Sequence, residues 1–216
     1  MSIPRIWGLA GALIVGLATS AVSAFAAGPT SPYKALGLPN AVHPTLQEAP
    51  VQAITAGSLT IQLEVTPLDA VKRKFGGIVR GAGDAAEAVT WLCYVGTWNQ
   101  KPVVFWFISN DEMSGGRHEV TQVAVQANPG GVAPRGCGEA PASLSGIDFG
   151  VPSLGSSVDA VVKHFGAGAP SAKGDLSYAS EVEVKEPKEA TVMLSLQYRV
   201  REGVVVTISV SQVTTN

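Results

Sequence analysis

Apolar and polar positions alternate from Leu59 to Val65. Leu59, Ile61, Leu63 and Val65 fall on one side, and Thr60, Gln62 and Glu64 on the other. That period of two predicts a half-buried strand. The period then lengthens: Leu68, Val71 and Phe75 share one face of a helix that opens after Thr66-Pro67 and stops at Gly76. Three more apolar runs, at 88–95, 102–109 and 119–126, predict a three-stranded meander, its first two strands joined by the turn-rich stretch 96–101. The succession then starts again. Ile147, Phe149 and Val151 alternate with Asp148 and Gly150, and Val158, Val161, Val162 and Phe165 line one helical face ended by Gly166. Strands are predicted at 177–185, 191–200 and 204–212, with Arg201-Glu202-Gly203 as a tight hairpin turn.

Residues 66–76 and 156–166 correspond at a constant offset of 90, and Gly83-Asp84 and Gly174-Asp175 mark the same turn after each helix. The expected fold is therefore α+β. It holds two tandem repeats, each a strand, a short helix and a three-stranded antiparallel meander, with the helices packed on one side of the sheet. Repeat 1 covers 58–127 and repeat 2 covers 144–216, joined by a Gly/Pro connector at 128–143; a Pro-rich, extended lead occupies 27–57. Thr66 and Ser156 are predicted N-caps. Asp69 and Asp159, three residues on, answer free N–H groups and the positive end of the dipole. These four are structural caps, not site residues.

The two middle strands differ. In the second, Val192, Leu194, Leu196 and Tyr198 oppose Ser195, Gln197 and Arg199, one core face and one wet face. In the first, Val103, Phe105 and Phe107 oppose Val104, Trp106 and Ile108, and in its neighbour Trp91, Cys93 and Val95 oppose Leu92 and Tyr94. Repeat 1 thus has a sheet that is apolar on both sides, and its second face requires a cover. Three covers fit: the lead or repeat 2, a protein partner, or a small apolar ligand held between sheet and lead. For a partner the expected anchors are Trp98, Trp106 and Tyr94, with Trp91 the deepest of the set. Trp98, in the turn-rich stretch, is the foremost contact residue.

Composition narrows the function. Residues 1–26 carry Arg5, an apolar run and Ala24-Phe25-Ala26, the pattern of a cleaved signal peptide. Without Arg5, 14 basic residues face 17 acidic ones, a net charge of −3. That balance excludes a nucleic-acid footprint, and no later stretch is apolar enough to span a membrane. Cys93 and Cys137 are the only cysteines, and in an oxidising compartment they predict a disulfide between the first sheet and the connector. The expected location is periplasmic or secreted. His43, His118 and His164 share no ligand spacing, and Asp111, Glu112, Arg117 and His118 around Gly115-Gly116 read as solvated loop charges. Gly150-Val151-Pro152-Ser153-Leu154-Gly155 lacks the spacing of a nucleophile elbow. No cofactor, metal or catalytic residue is predicted, and the chain does not read as an enzyme.

The twin Leu/Val-x-x-Val-x-x-x-Phe-Gly helices, each with a Gly-Asp turn and a meander, resemble the tandem repeats of β-lactamase-inhibitor-like proteins. They also resemble the single domain of small outer-membrane-assembly lipoproteins of the SmpA/OmlA type. The resemblance covers roughly 58–126 and 144–212. It implies helices on an antiparallel sheet whose exposed aromatic face grips another protein. The chain departs from the pattern in lacking a lipidation cysteine, in opening each unit with a strand, and in its single sheet-to-connector cysteine pair. The expected function is an exported module that binds a protein partner in the envelope or extracellular space through repeat 1. The alternatives are a periplasmic carrier of a small apolar ligand or a structural envelope protein, with an enzyme, a hydrolase, third.

Overall fold

The computed structural model describes residues 28–38, 43–84, 88–110, 117–170, 174–185 and 189–215. The leader at 1–26 and the loop acids Asp111 and Glu112 lie outside these residues. The chain is mainly antiparallel β-sheet with few helices. Its elements in order are α1 (Pro32–Leu36), β1 (Ile54–Ala56), β2 (Leu59–Ile61), α2 (Leu68–Phe75), β3 (Arg80–Ala82), β4 (Val89–Trp98), β5 (Lys101–Asn110), β6 (Gln122–Ala127) and β7 (Gly138–Glu139). There follow β8 (Ile147–Asp148), α3 (Val158–Phe165), β9 (Ala169–Pro170), β10 (Leu176–Val184), β11 (Ala190–Arg201) and β12 (Val204–Thr215).

One nine-stranded sheet runs β3-β4-β5-β6-β12-β11-β10-β9, with β7 parallel to β4, and β2-β1-β8 form a second, small sheet. Read outward from the β6–β12 junction, one side descends 5-4-3 and the other 11-10-9. Contacts recur across that junction. Leu68 N donates to His118 O and Val120 N to Thr66 O; likewise Val158 N donates to Gly203 O and Val205 N to Ser156 O. Tyr94 Oη donates to Gly76 O, and Tyr178 Oη to Gly166 O. The pairing Tyr94–Phe105–Val125 on one side matches Tyr178–Leu196–Val210 on the other. At the junction Ala124 pairs with Ser209.

Each predicted meander strand is present within a few residues. The turns are tighter than the sequence suggested: Asn99 and Gln100 both take positive φ, so Trp98 pairs with Lys101 and belongs to the strand. The opening strands are shorter. β2 stops at Ile61, because Glu64 turns the chain with φ +59 and its carboxylate accepts from Gln212 Nε2, Thr214 N and Thr214 Oγ1.

The caps sit one residue later than expected. Pro67 is the N-cap of α2 and offers no side-chain acceptor, while Thr66 Oγ1 accepts from Gln62 N. Ser157, not Ser156, caps α3 by accepting from Ala160 N; Ser156 Oγ accepts from Ser153 N. In both halves position 66 or 156 is occupied by backbone pairing to the loop or strand at 120 or 205, which delays the helix start. Asp69 and Asp159 lie in the first turns, and Asp69 also pairs with Arg73 one turn on. Gly76 and Gly166 end the helices at φ +76 and +83 with ψ near ±180°, a conformation reserved for glycine and different from the left-handed helical one expected.

Both helices and the small sheet cover one face of the large sheet, around Phe105, Phe107, Tyr178 and Tyr198. A second core lies on the opposite face of the first half: Trp91, Cys93, Val104, Trp106 and Ile108 under Leu36, with Ala35, Leu38 and Cys137 against it. The described part of the lead is therefore structured. α1 is fixed by Thr30 N to Arg135 O, by Gln126 Nε2 to Ala35 O and by Arg199 to Gly37 O. Cys93 and Cys137 are disulfide-bonded, with Cα atoms 4.7 Å apart.

Candidate functional site

The four expected anchors do not form one surface. Trp91 and Trp106 are fully buried in the second core, beneath α1 and the connector. Tyr94 is buried on the other face, where its hydroxyl is held by Gly76 O at 2.8 Å. Burial pushes that phenol up to about 12. Of the predicted set only Trp98 keeps exposed surface. Its indole lies over Gly146, where a side chain would meet Nε1 at 2.9 Å, and it borders a groove of about 450 Å³ with Lys101, Leu154 and Val204. The aromatic layer that drew attention in the sequence is thus an internal joint. The two indole Nε1 groups are buried without acceptors among the described residues, so the indoles themselves are held by packing.

A larger opening lies elsewhere, and its origin is a difference in chain length. Two segments run alongside the outer strands of the large sheet. In the first half the connector does so: Gly138 and Glu139 pair parallel with Tyr94 and Val95, and Ala140 N donates to Val95 O. In the second half the lead does so: Leu46 bridges Ser180 in parallel, Thr45 N and Leu46 N donate to Ala179 O, and Thr45 Oγ1 accepts from Ala179 N. Each segment then runs to an aliphatic residue buried at the corresponding place, Leu144 or Ile54, 90 positions apart, the lead burying Pro50 and Val51 on the way. Four positions separate Ala140 from Leu144, and eight separate Leu46 from Ile54.

The longer stretch bows outward around a cleft of about 630 Å³ against the C-terminal end of α3 and the start of the small sheet. Pro50 and Val51 are buried and anchor the bow, and Gln52 Nε2 donates to Ala49 O within it. Phe165 and Phe149 contribute the apolar wall, and Glu48, Asp148 and His164 the polar rim. Phe165 rests on Tyr178 at 4.7 Å between ring centres and carries His164 edge-on at 4.5 Å. Its counterpart Phe75 is only 6% exposed, whereas Phe165 is half-buried.

The volume falls within the few hundred Å³ typical of small-molecule sites. In the sequence none of these residues carries a site role: Phe149 and Phe165 read as apolar strand and helix positions and His164 as a scattered histidine. The usable signal was the unequal spacing of two segments whose edge contacts are not visible locally. Among the described residues no group of three His, Cys, Asp or Glu is placed to hold a metal ion. His118 and Arg117 are not gathered into a site: His118 Nδ1 lies 3.2 Å from Thr90 Oγ1, and Arg117 pairs with Glu119 at 2.9 Å. No described helix is long and apolar enough to cross a membrane. No family model matches the chain, and neither a curated protein nor a solved structure matches it.

Proposed function

We propose that the chain is an exported binding module made of two copies of one unit, a binder of a small, partly apolar ligand and not a catalyst. Its ligand enters the cleft between the lead and α3. The observation that carries this reading is the four-residue excess of the lead, which leaves Phe165 uncovered where Phe75 is sealed. Duplication is supported by the recurring contacts around Gly76 and Gly166 and by the mirrored strand order. It accords with the resemblance to tandem β-lactamase-inhibitor-like proteins, although the face that would grip a protein is here filled by α1. Export is supported by the pattern at 1–26 and by the disulfide. A protein partner is the second reading, carried by Trp98 and its groove.

The test is titration of the disulfide-bonded protein with the neutral fluorescent probe N-phenyl-1-naphthylamine. Wild type should enhance its emission, and Ala53→Trp, which fills the cleft from an exposed position, should abolish the effect. Equal enhancement in both proteins, or none in either, overturns the cleft as the site.

A further inference from the structure

Resting on that reading of the cleft, we infer that its ligand is an organic cation, an ammonium head on an apolar body. The charged residues around the cleft are of one kind. Among the described residues Glu48 and Asp148 line it, no lysine or arginine does, and His164 is the only other titratable side chain on the wall. A carboxylate or phosphate ligand would meet two like charges there and no permanent counter-charge. Asp148 is also positioned: its Oδ1 accepts from Gly150 N at 2.8 Å, which fixes the carboxylate at the mouth. Its second oxygen takes no hydrogen bond from the described residues. The exposed Asp148 thus offers a carboxylate already oriented by the backbone.

The apolar wall adds a second, independent preference. Phe165 is backed by Tyr178 at 4.7 Å, and Tyr178 is itself held by Gly166 O at 3.1 Å. A half-buried phenyl ring beside acidic groups favours a cation, since the quadrupole attracts positive charge over the ring face. The net charge agrees in sign: without the leader 17 acidic residues face 14 basic ones, a balance that favours cationic over anionic ligands. The nearest cation on the same helix, Lys163, is exposed and does not line the cleft. A volume of about 630 Å³ admits a single ring with a short alkyl chain.

Three probes of nearly one shape decide the matter: 4-phenylbutylamine, 4-phenylbutanol and 4-phenylbutyrate. Each is titrated into the full disulfide-bonded protein, with binding read by calorimetry and by the ring-proton shifts of His164 and Phe165. The amine should bind tightest. Glu48→Gln and Asp148→Asn should each weaken it about threefold, the size expected of a partly exposed ion pair. They should leave the alcohol unchanged, and added salt should weaken the amine alone. If 4-phenylbutyrate binds as tightly as the amine, or if neutralising both carboxylates leaves amine affinity untouched, the cationic class is wrong while the cleft stands. If no probe shifts the His164 and Phe165 signals, the cleft falls with it.

Discussion

The two halves of this protein hold the same helix on the same sheet face, yet they close it to different depths. In the first, Leu68, Val71 and Phe75 of α2 are all buried; in the second, only Val161 of α3 is, with Val158, Val162 and Phe165 half-covered. The opposite face differs as well. Register places Trp106, Ala124, Ser209, Gln197 and Ser177 in one row across the sheet, so a single pleat passes from indole to hydroxyl and amide. The half that is greasy on both sides has become the sealed one, tied by a disulfide and capped by α1. The polar half has kept an opening. Position within a shared scaffold therefore does not decide what is structural; the length and composition of the covering segment do.

The largest expected contrast lies along that row. Trp106→Ala should lower unfolding free energy by about 4 kcal/mol, the range for emptying a packed aromatic site. Gln197→Ala, at the corresponding place in the second half, should cost about 1 kcal/mol, the net worth of a buried amide's hydrogen bonds. Denaturant unfolding of both variants checks this, and equal losses would erase the distinction between the two faces.

The covering segments come next. Replacing both Cys93 and Cys137 by serine releases a loop spanning 44 positions and should cost about 3 kcal/mol. Thr45→Val removes the side-chain acceptor that docks the lead on Ala179 and should cost about 1 kcal/mol. Unfolding in the presence and absence of reductant measures the first of these directly. A bridge that contributed no more than Thr45 would mean the two covers are equally loose.

Within the helices, Phe75→Leu should cost about 2 kcal/mol and Phe165→Leu less than half of that, because a half-open site loses less burial. Thermal shifts suffice to rank them; the reverse order would mean that the cleft is closed in solution.

The gentlest test is alkaline. Burial raises the phenols of Tyr94 in the first half and of Tyr178 and Tyr198 in the second, with the neighbouring Tyr178 adding to the rise at Tyr198 and a backbone hydrogen bond from Gly168 offsetting part of it at Tyr178. An unfolded chain ionises them near the ordinary value of about 10. Their contribution is therefore complete below that pH and fades above it, as the unfolded state sheds protons that the folded state retains, through about 12 for Tyr94. Unfolding free energy measured from pH 8 upward should be flat and then decline. A curve that stayed level through that upper range would contradict the burial of all three rings.

The large sheet was readable because its strands are long enough for parity to speak. Val103 to Ile108 announced two apolar faces, and both exist. Parity also separated Tyr94 from Cys93 and hence from Trp106, which pairs with Cys93 across the ladder, so grouping Tyr94 with the indoles went against a signal already present. The lead was not readable. α1 spans five residues, too few for a helical period to emerge, and its order comes from Arg135, Gln126 and Arg199, which lie far along the chain. Trp98 was assigned to a loop because 96–101 is rich in turn formers, while the two positive-φ residues Asn99 and Gln100 suffice to reverse the chain. The cleft escaped notice for the same reason as α1. It is a property of two spacings, and each becomes meaningful only once Leu46 and Ala140 are known to sit on equivalent edges.

The lead docks on the second half, and this constrains the order in which the chain can fold. Thr45 finds its place on Ala179, 134 residues further along, and β6 finds its outer neighbour only in the last strand. The lead and β6 therefore both wait for partners supplied by the second half, and β6 keeps an unpaired rim until β12 is in place. Such long-range closure is slow. Any premature stop before β12 would leave a bare, sticky strand edge in place of a smaller working protein.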